Sequence, residues 1–144
     1  AYLSMLDSIK NGCPTLDISS CPDLGPIIFA LAGVSNGATV NGTARLKIKE
    51  SDRCEAMAEE LNKFGIKLII DENTVRVLPW AKPTYPCEIL KGHNDHRIVM
   101  AATIAATKAS APTVIKGAEA HSKSYPAFFE HIKALGAVIE LEEC

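Results

Sequence analysis

Residues 51–78 read SDRCEAMAEELNKFGIKLIIDENTVRVL, and three successive structural elements can be predicted from this stretch. Apolar residues recur at helical spacing as far as residue 64, which predicts an amphipathic helix over 51–64. Gly65 suits the left-handed conformation that commonly ends a helix. Two further runs, 67–70 and 74–78, flank turn-forming residues and predict a β-hairpin. The stretch therefore has the order helix, strand, strand.

The predicted helix over 51–64 has one apolar face and one charged face. Ser51 suits the N-cap position and Asp52 suits the first turn. The apolar stripe comprises Cys54, Met57, Ala58, Leu61 and Phe64. The face expected to point to solvent carries Glu55, Glu59, Glu60 and Lys63. We therefore expect this helix to lie on the surface of a layer.

A similar order of features occurs twice along the chain. A polar turn that ends in aspartate precedes an apolar helix pattern at Asp23 and again, 72 residues later, at Asp95. The amphipathic helices end at Gly65 and at Gly136, which are 71 residues apart. A unit of about 71–75 residues is longer than the repeats of common solenoids. The pattern predicts a duplicated β-α-β-α-β module inside one pseudo-symmetric α+β domain.

The two copies are expected over 13–80 and 87–144, within a single domain that spans 1–144. The segment 80–86 contains two prolines and is expected to link the copies. Helices predicted to be buried, because they are apolar on nearly every side, cover 24–32 and 98–109. A second amphipathic helix is expected over 125–135, with Ser124 as its cap and Pro126 in its first turn. Short strands are expected at 39–40, 89–90, 113–115 and 138–141.

The composition excludes several classes of partner. The 144 residues include 15 Lys+Arg and 17 Asp+Glu, so a net charge of −2 provides no general attraction for nucleic acid or an anionic membrane. The apolar stretches 24–40 and 98–107 are interrupted or too short to span a bilayer, and no secretory signal is visible. We therefore expect a soluble, cytoplasmic protein with no nucleic-acid or membrane partner.

The five cysteines are scattered and form no C-x-x-C pair, a pattern that does not favour a zinc or redox site. We expect most of them to be buried or inert thiols. His93, Asp95 and His96 are close in sequence and raise the question of a metal site. No other carboxylate or histidine is placed in the sequence to complete such a site. No metal and no cofactor are therefore expected.

Clusters of unusual polar residues precede the predicted helices. They comprise Asp23; residues 49–53, KESDR; residues 93–97, HNDHR; and residues 121–123, HSK. If the two copies are related by pseudo-symmetry, these helix starts can converge at one end of the domain, where N–H groups and cations would bind phosphate or carboxylate. Each cluster alone is also compatible with ordinary helix capping, or with a solvated local pair such as Arg53 with Glu50.

Four of these motifs together resemble the C-terminal domain of the EPSP synthase (3-phosphoshikimate 1-carboxyvinyltransferase) family. They are CPDLGP at 21–26, IKESDR at 48–53, NDHR at 94–97 and SKSYP at 122–126, and the match extends over about 16–141. The resemblance implies an α/β prism in which each of two domains contains three βαβαββ units. This chain would hold about two of the three units of one domain, and residues 1–12 would be the tail of an earlier segment.

The resemblance also implies roles for individual residues. Asp23 would be the general base for the 5-hydroxyl of shikimate 3-phosphate, and Glu50 would transfer a proton to the methylene of phosphoenolpyruvate. Lys49 would contact the hydroxyl and the developing tetrahedral centre. Arg53 and Arg97 would hold the carboxylate and phosphate of phosphoenolpyruvate. His96 would lie beside them, and Lys123 would assist with the phosphate.

The implied function is enolpyruvyl transfer in the shikimate pathway, which leads to chorismate and the aromatic amino acids, with release of phosphate. In the family, substrates bind between two domains, so this chain would need the N-terminal domain as a partner and would be inactive alone. Arg45 stands where some members carry an asparagine that contacts the shikimate phosphate. The alternative is a non-catalytic anion-binding or scaffold domain with the same fold. Asp23 and Glu50 favour the enzyme, because an anion binder has no use for carboxylates among its cations.

Overall fold

The computed structural model describes residues 2–86 and 88–143, in which helices and short strands alternate. The five α-helices are α1 (Tyr2–Asn11), α2 (Gly25–Gly33), α3 (Arg53–Asn62), α4 (His96–Ala106) and α5 (Phe128–Ala134). The strands are β1 (Thr15–Asp17), β2 (Ala38–Asn41), β3 (Lys67–Ile70), β4 (Thr74–Leu78), β5 (Leu90–Lys91) and β6 (Ile115–Lys116). Short 3-10 helices cover Pro22–Leu24, Ala44–Ile48 and Ala118–Lys123.

The strands form two sheets in the described residues. The larger sheet has the order β1-β2-β4-β3, in which β1 and β2 are parallel and the other pairs are antiparallel. The smaller sheet pairs β5 with β6 in parallel. The hairpin predicted at 67–70 and 74–78 is confirmed with those bounds, and Ile70 pairs with Val75. Strand β1 was not predicted, because three residues are too few to show alternation.

The predicted α+β class is confirmed, and the element order explains the repeat. From Thr15 to Leu78 the order is β1-α2-β2-α3-β3-β4, and from Leu90 onward it is β5-α4-β6-α5. The assignment of copies to 13–80 and 87–144 stays a prediction, and Cys87 and Cys144 lie outside the described residues. Helix α2 lies between the parallel strands β1 and β2 in the chain, and α4 lies between the parallel strands β5 and β6, so the two helices have the same place in their element order.

Helices α2 and α4 pack against each other in the centre of the core. Ile28, Phe29 and Ile98 have no exposed surface, as expected from their apolar surroundings in the sequence. Helix α4 ends at Ala106 rather than at residue 109, where a turn follows. Because the polar motifs immediately precede these helices, the rigid core fixes where the motifs lie.

Several local predictions are wrong. Asp52, not Ser51, is the N-cap of α3, since its carboxylate accepts from the N–H groups of Cys54 and Glu55, each at 3.1 Å. Helix α5 begins only at Phe128 after an Ala127 N-cap, so Ser124 does not cap it. Residues 138–141 form no strand in the described structure and pair with neither of the two sheets. Sequence patterns identify strand-forming residues but not the partner that a strand requires.

The expected charged face of α3 is only partly exposed. Glu60 is fully buried and the Lys63 side chain is 8% exposed, whereas Glu55 and Glu59 face solvent as predicted. The reason is that β5 and the loop after it lie against this side of α3, where Lys91 N donates to Glu60 Oε2 at 2.9 Å. Helical periodicity shows which residues share a face, but not which long-range segment covers it.

The cysteine prediction has a mixed outcome. Cys54 is buried, and burial, with the Asp52 charge nearby, raises the pKa of its thiol to about 12, which makes it inert. Cys13 is exposed and Cys21 is half-buried, so Cys54 is the one fully buried cysteine among the three that the structure describes. Cys87 and Cys144 lie outside the described residues. No helix in the described part of the chain is long and apolar enough to cross a membrane.

Candidate active site

The Arg53 side chain is the centre of the candidate site. It projects from the first turn of α3, is almost completely buried and contacts carboxylates from three segments. Its Nη1 lies 2.9 Å from Asp23 Oδ1, its Nη2 lies 2.7 Å from Glu50 Oε2, and its Nε lies 2.9 Å from Asp95 Oδ2. The pair of Arg53 with Glu50 considered from the sequence is therefore present, but it is neither solvated on the arginine side nor the only ion pair of Arg53. Arg53 instead joins the starts of α2, α3 and α4.

Asp23 is the most exposed carboxylate that contacts Arg53. It lies in the 3-10 turn before α2, and Lys49 Nζ is 3.3 Å from its Oδ1. Partial burial tends to raise the pKa of Asp23, but hydrogen bonds and charge from Lys49 and Arg53 outweigh burial and lower it. Asp23 is therefore ionised at neutral pH, and its half-exposed side chain can accept a proton from a bound group.

Asp95 joins two helix starts through one buried carboxylate. Its oxygens accept from Ser51 Oγ at 2.8 Å, from Arg53 Nε at 2.9 Å and from the backbone N–H of Arg97 at 2.9 Å. The last contact makes Asp95 the N-cap of α4. Burial tends to raise the pKa of Asp95, but the donors and the Arg53 charge overcome burial and lower it. Asp95 is therefore ionised at neutral pH and connects α3 and α4 as a carboxylate.

His96 and Arg97 form the first turn of α4. Arg97 Nε and His96 Nδ1 are buried atoms without a hydrogen-bond partner among residues 2–86 and 88–143. Asp23, Arg97 and Tyr125 line the same groove, whose volume is about 310 Å³. A buried donor without a partner costs free energy, and apart from Asp23 and Arg97 the groove is lined mainly by apolar and aromatic side chains. The groove therefore places a cation with an unused donor beside a carboxylate.

The turn before Asp95 has an uncommon backbone. His93 and Asn94 both have left-handed backbone angles, with φ of 51° and 52°. The Asn94 carbonyl and side-chain oxygens accept from Lys123 Nζ at 2.7 and 2.6 Å. Lys123, from the 3-10 helix after β6, is thereby fixed next to the start of α4 while its side chain stays exposed.

Of the residues considered for a metal site, His93 lies beside the carboxylates of Glu59 and Glu60, and one ligand atom from each of the three falls within 4.8 Å of the others. The expectation that no further carboxylate is placed nearby is therefore wrong for His93, whereas Asp95 and His96 do not belong to this group. Glu60, however, already binds Lys63 Nζ at 2.8 Å, and Glu59 binds Lys91 Nζ at 3.1 Å. Ammonium groups compensate these carboxylates, so the cluster resembles an ion-pair network more than a metal site.

The structure thus brings most of the predicted site residues together. Direct contacts join Asp23, Lys49, Glu50 and Arg53. Arg97 shares a groove with Asp23, while His96 and Lys123 adjoin the same α4 start. The catalytic and binding roles of these residues stay predictions.

Sequence reasoning missed the supporting residues of the site. Asp95 and Ser51 stand inside the quoted motifs, and an aspartate before a helix could have been assigned as its cap. Nothing in the sequence pattern indicated that Glu60 and His93 meet, because they are 33 residues apart.

Comparison with known proteins now assigns the family. The EPSP synthase (3-phosphoshikimate 1-carboxyvinyltransferase) family model matches residues 5–132. The chain therefore belongs to the EPSP synthase family, which confirms the resemblance predicted from the sequence.

Individual relatives agree with this assignment. The chain is 44% identical over 131 residues to the 3-phosphoshikimate 1-carboxyvinyltransferase of Clostridium kluyveri, a match that covers 87% of this chain and 29% of the relative. It is 40% identical over 142 residues to the Clostridium novyi protein of the same name, covering 96% of this chain and 32% of the relative. A solved structure of EPSP synthase from Acinetobacter baumannii matches with a TM-score of 0.74 and 30% identity, covering 83% of this chain and 28% of that one. The chain thus spans less than a third of the length of these relatives.

Proposed function

We propose that the chain contributes one side of the active site of a carboxyvinyltransferase, which moves the enolpyruvyl group of phosphoenolpyruvate to the 5-hydroxyl of shikimate 3-phosphate. The observation that carries this proposal is that Arg53 gathers Asp23 and Glu50 into one cluster beside Lys49. The reaction needs acid–base groups next to cations, and this cluster contains both. The proposed setting is the cytoplasm and the shikimate pathway to chorismate.

In the addition step, the 5-hydroxyl oxygen forms a bond to C2 of phosphoenolpyruvate. Asp23 takes the hydroxyl proton, and Glu50, which enters this step as the protonated acid, gives its proton to the methylene carbon, which becomes a methyl group. In the elimination step, that methyl group returns a proton to Glu50, the bond from C2 to the phosphate oxygen breaks with its electron pair on that oxygen, and the double bond forms again. Inorganic phosphate leaves with the proton that Asp23 took from the hydroxyl, so both carboxyl groups return to their starting states. The lowered pKa of Asp23 suits a group that starts ionised.

The anionic groups of the substrates would be held by Arg97, Lys123 and one free edge of Arg53, with His96 beside them. The guanidinium group of Arg53 has five N–H donors. Four of them bind Asp23, Glu50 and Asp95, and the fifth belongs to Nη1. Arg97 offers a buried Nε with no partner in the described residues. Arg53 would therefore mainly organise the carboxylates, and Arg97, which lines the groove together with Asp23, would contact phosphoenolpyruvate.

The remaining two-thirds of the relatives' length would supply the opposing wall of the cleft. Enolpyruvyl transfer requires both reactants to be fixed in one orientation and shielded from water. We therefore expect the 144-residue chain alone to bind inorganic phosphate weakly and to release none from phosphoenolpyruvate and shikimate 3-phosphate. Phosphate release well above background from the chain alone would contradict the proposal that it carries only one side of the active site.

Phosphate binding can be followed by NMR in the isolated chain. Titration with inorganic phosphate is expected to shift the backbone signals of Arg97 and Lys123, and Arg97→Gln should weaken binding by about tenfold because it removes a charge-assisted contact. Arg76→Gln, at an exposed position of β4, is a matched control for the loss of one positive charge. Equal weakening by both variants would show that binding is only a general effect of charge.

The alternative, a non-catalytic anion-binding domain, differs in its prediction for the carboxylates. If anion binding were the whole function, Asp23→Asn would remove a negative charge and improve phosphate affinity, and no catalytic activity would be lost. The enzyme proposal predicts instead that the same substitution removes turnover. The position of Asp23 between Lys49 and Arg53 favours the enzyme.

A further inference from the structure

The turn formed by His93 and Asn94 has a left-handed backbone and directly precedes helix α4. Both residues have φ near +50°, a conformation that glycine adopts easily and histidine adopts seldom. Asp95 follows directly and caps α4, so the turn decides where α4 begins and where Arg97 points. Such a backbone persists only when surrounding contacts hold it in place.

Glu60 supplies the contacts that hold the turn on one side. Its carboxylate has no exposed surface, although it belongs to a helix whose neighbouring Glu59 faces solvent. Oε1 lies 2.6 Å from His93 Nε2, while Oε2 accepts from Lys91 N at 2.9 Å and from Lys63 Nζ at 2.8 Å. A buried carboxylate is tolerated only when it is fully hydrogen-bonded, and Glu60 satisfies this condition through the turn.

Asn94 connects the other side of the turn to a candidate anion ligand. Its carbonyl oxygen and its side-chain oxygen both accept from Lys123 Nζ. The left-handed backbone of Asn94 directs the carbonyl oxygen and the side chain toward the same ammonium group. A chain of contacts therefore leads from Glu60 through His93 and Asn94 to Lys123, none of which requires a bound metal.

We propose that Glu60 and His93 are positioning residues, which hold the 93–94 turn so that Arg97 and Lys123 face the same anion. The inference rests on the proposed function, because it concerns how the phosphate-binding side of that site is assembled. Neither Glu60 nor His93 contacts the substrate in this account. Their effect reaches the ligand only through the turn.

The experiment measures binding of inorganic phosphate to the 144-residue chain by NMR, together with the thermal midpoint of each variant. His93→Leu removes the donor to Glu60 and should weaken phosphate binding by about tenfold, the loss expected for one misplaced charge-assisted contact. His93→Gln keeps a donor and should restore affinity to within about threefold. Lys91→Met removes the exposed ion pair with Glu59 but keeps the backbone donor, so affinity should stay within about twofold.

Equal phosphate affinity in the native chain and in folded His93→Leu would overturn the inference. If His93→Leu does not fold, His93→Gly replaces it, since glycine adopts the same backbone without the donor. A ligand-free readout separates the two proposals: the Arg97 N–H, bonded to Asp95, should exchange at least about tenfold faster in His93→Leu than in His93→Gln. If the native chain binds no phosphate, the proposed function fails, and this exchange ratio still decides the inference. A ratio near one overturns it.

Discussion

Asp95 Oδ2 lies 2.9 Å from Arg53 Nε, and this contact joins the starts of α3 and α4 across 42 residues of sequence. Both side chains are buried. The pair holds together the two segments that carry the candidate cations and carboxylates. Both the stability of the fold and the geometry of the candidate site therefore depend on this ion pair.

Replacing Asp95 by asparagine should destabilise the chain. Asparagine keeps one acceptor but leaves the buried Arg53 charge without its buried counter-ion, which is expected to cost about 3 kcal/mol in the free energy of unfolding. Urea unfolding followed by circular dichroism measures this change. Glu50→Gln removes a more exposed partner of the same arginine and should cost less than about 1 kcal/mol. An equal loss of unfolding free energy in the two variants would contradict the claim that the Arg53–Asp95 pair is the main connection between α3 and α4.

Acid should remove the stability that Asp95 provides. Because its pKa is lower in the folded chain than the ordinary value of 3.8, its contribution is fully present above that value and is lost as the pH falls through the folded pKa. The difference in unfolding free energy between the native chain and Asp95→Asn should therefore shrink as the pH falls from about 7 to about 3. A difference that stays constant over this range would show that Asp95 does not act through its charge.

Gly92 should tolerate no side chain. A Cβ atom at this position would lie 2.6 Å from the Gly117 carbonyl oxygen and 2.8 Å from Val99 Cγ2. Gly92→Ala must therefore push β5 from β6 just before the 93–94 turn, at a cost of about 1–3 kcal/mol. A Cβ at Gly12 would have nothing within 4 Å, so Gly12→Ala is the matched control and should change stability by less than about 0.5 kcal/mol. Thermal unfolding of both variants measures these changes. An equal loss of stability in the two would contradict the claim that a Cβ at Gly92 is too close to Gly117 and Val99.

The hairpin and the buried helices could be predicted from local patterns. Alternation on either side of residues 71–73 specified β3 and β4 with their observed bounds. The unbroken apolar character of α2 and α4 indicated burial on every side. In these elements the deciding interactions lie close in sequence, or are hydrophobic and need no particular partner.

The supporting part of the site could not be predicted, because it depends on long-range contacts. The helical position of Glu60 predicts that it faces solvent, yet His93 and the backbone of Lys91 cover it. Ser51 reads as a cap, yet its hydroxyl donates to Asp95 in another segment. Periodicity describes one element at a time, whereas these contacts arise from how two elements dock.

The central claim is that this chain carries the proton-transfer carboxylates of a carboxyvinyltransferase, and a chimera tests it most directly. The chain would replace the corresponding part of the Clostridium kluyveri relative, to which it is 44% identical, and phosphate release from phosphoenolpyruvate with shikimate 3-phosphate would be measured. We expect turnover by the chimera, a loss of at least about 100-fold in Asp23→Asn and in Glu50→Gln, and a change within about twofold in the exposed control Glu55→Gln. A folded chimera that releases no phosphate, or one whose Asp23→Asn and Glu50→Gln variants keep full activity, would contradict the claim.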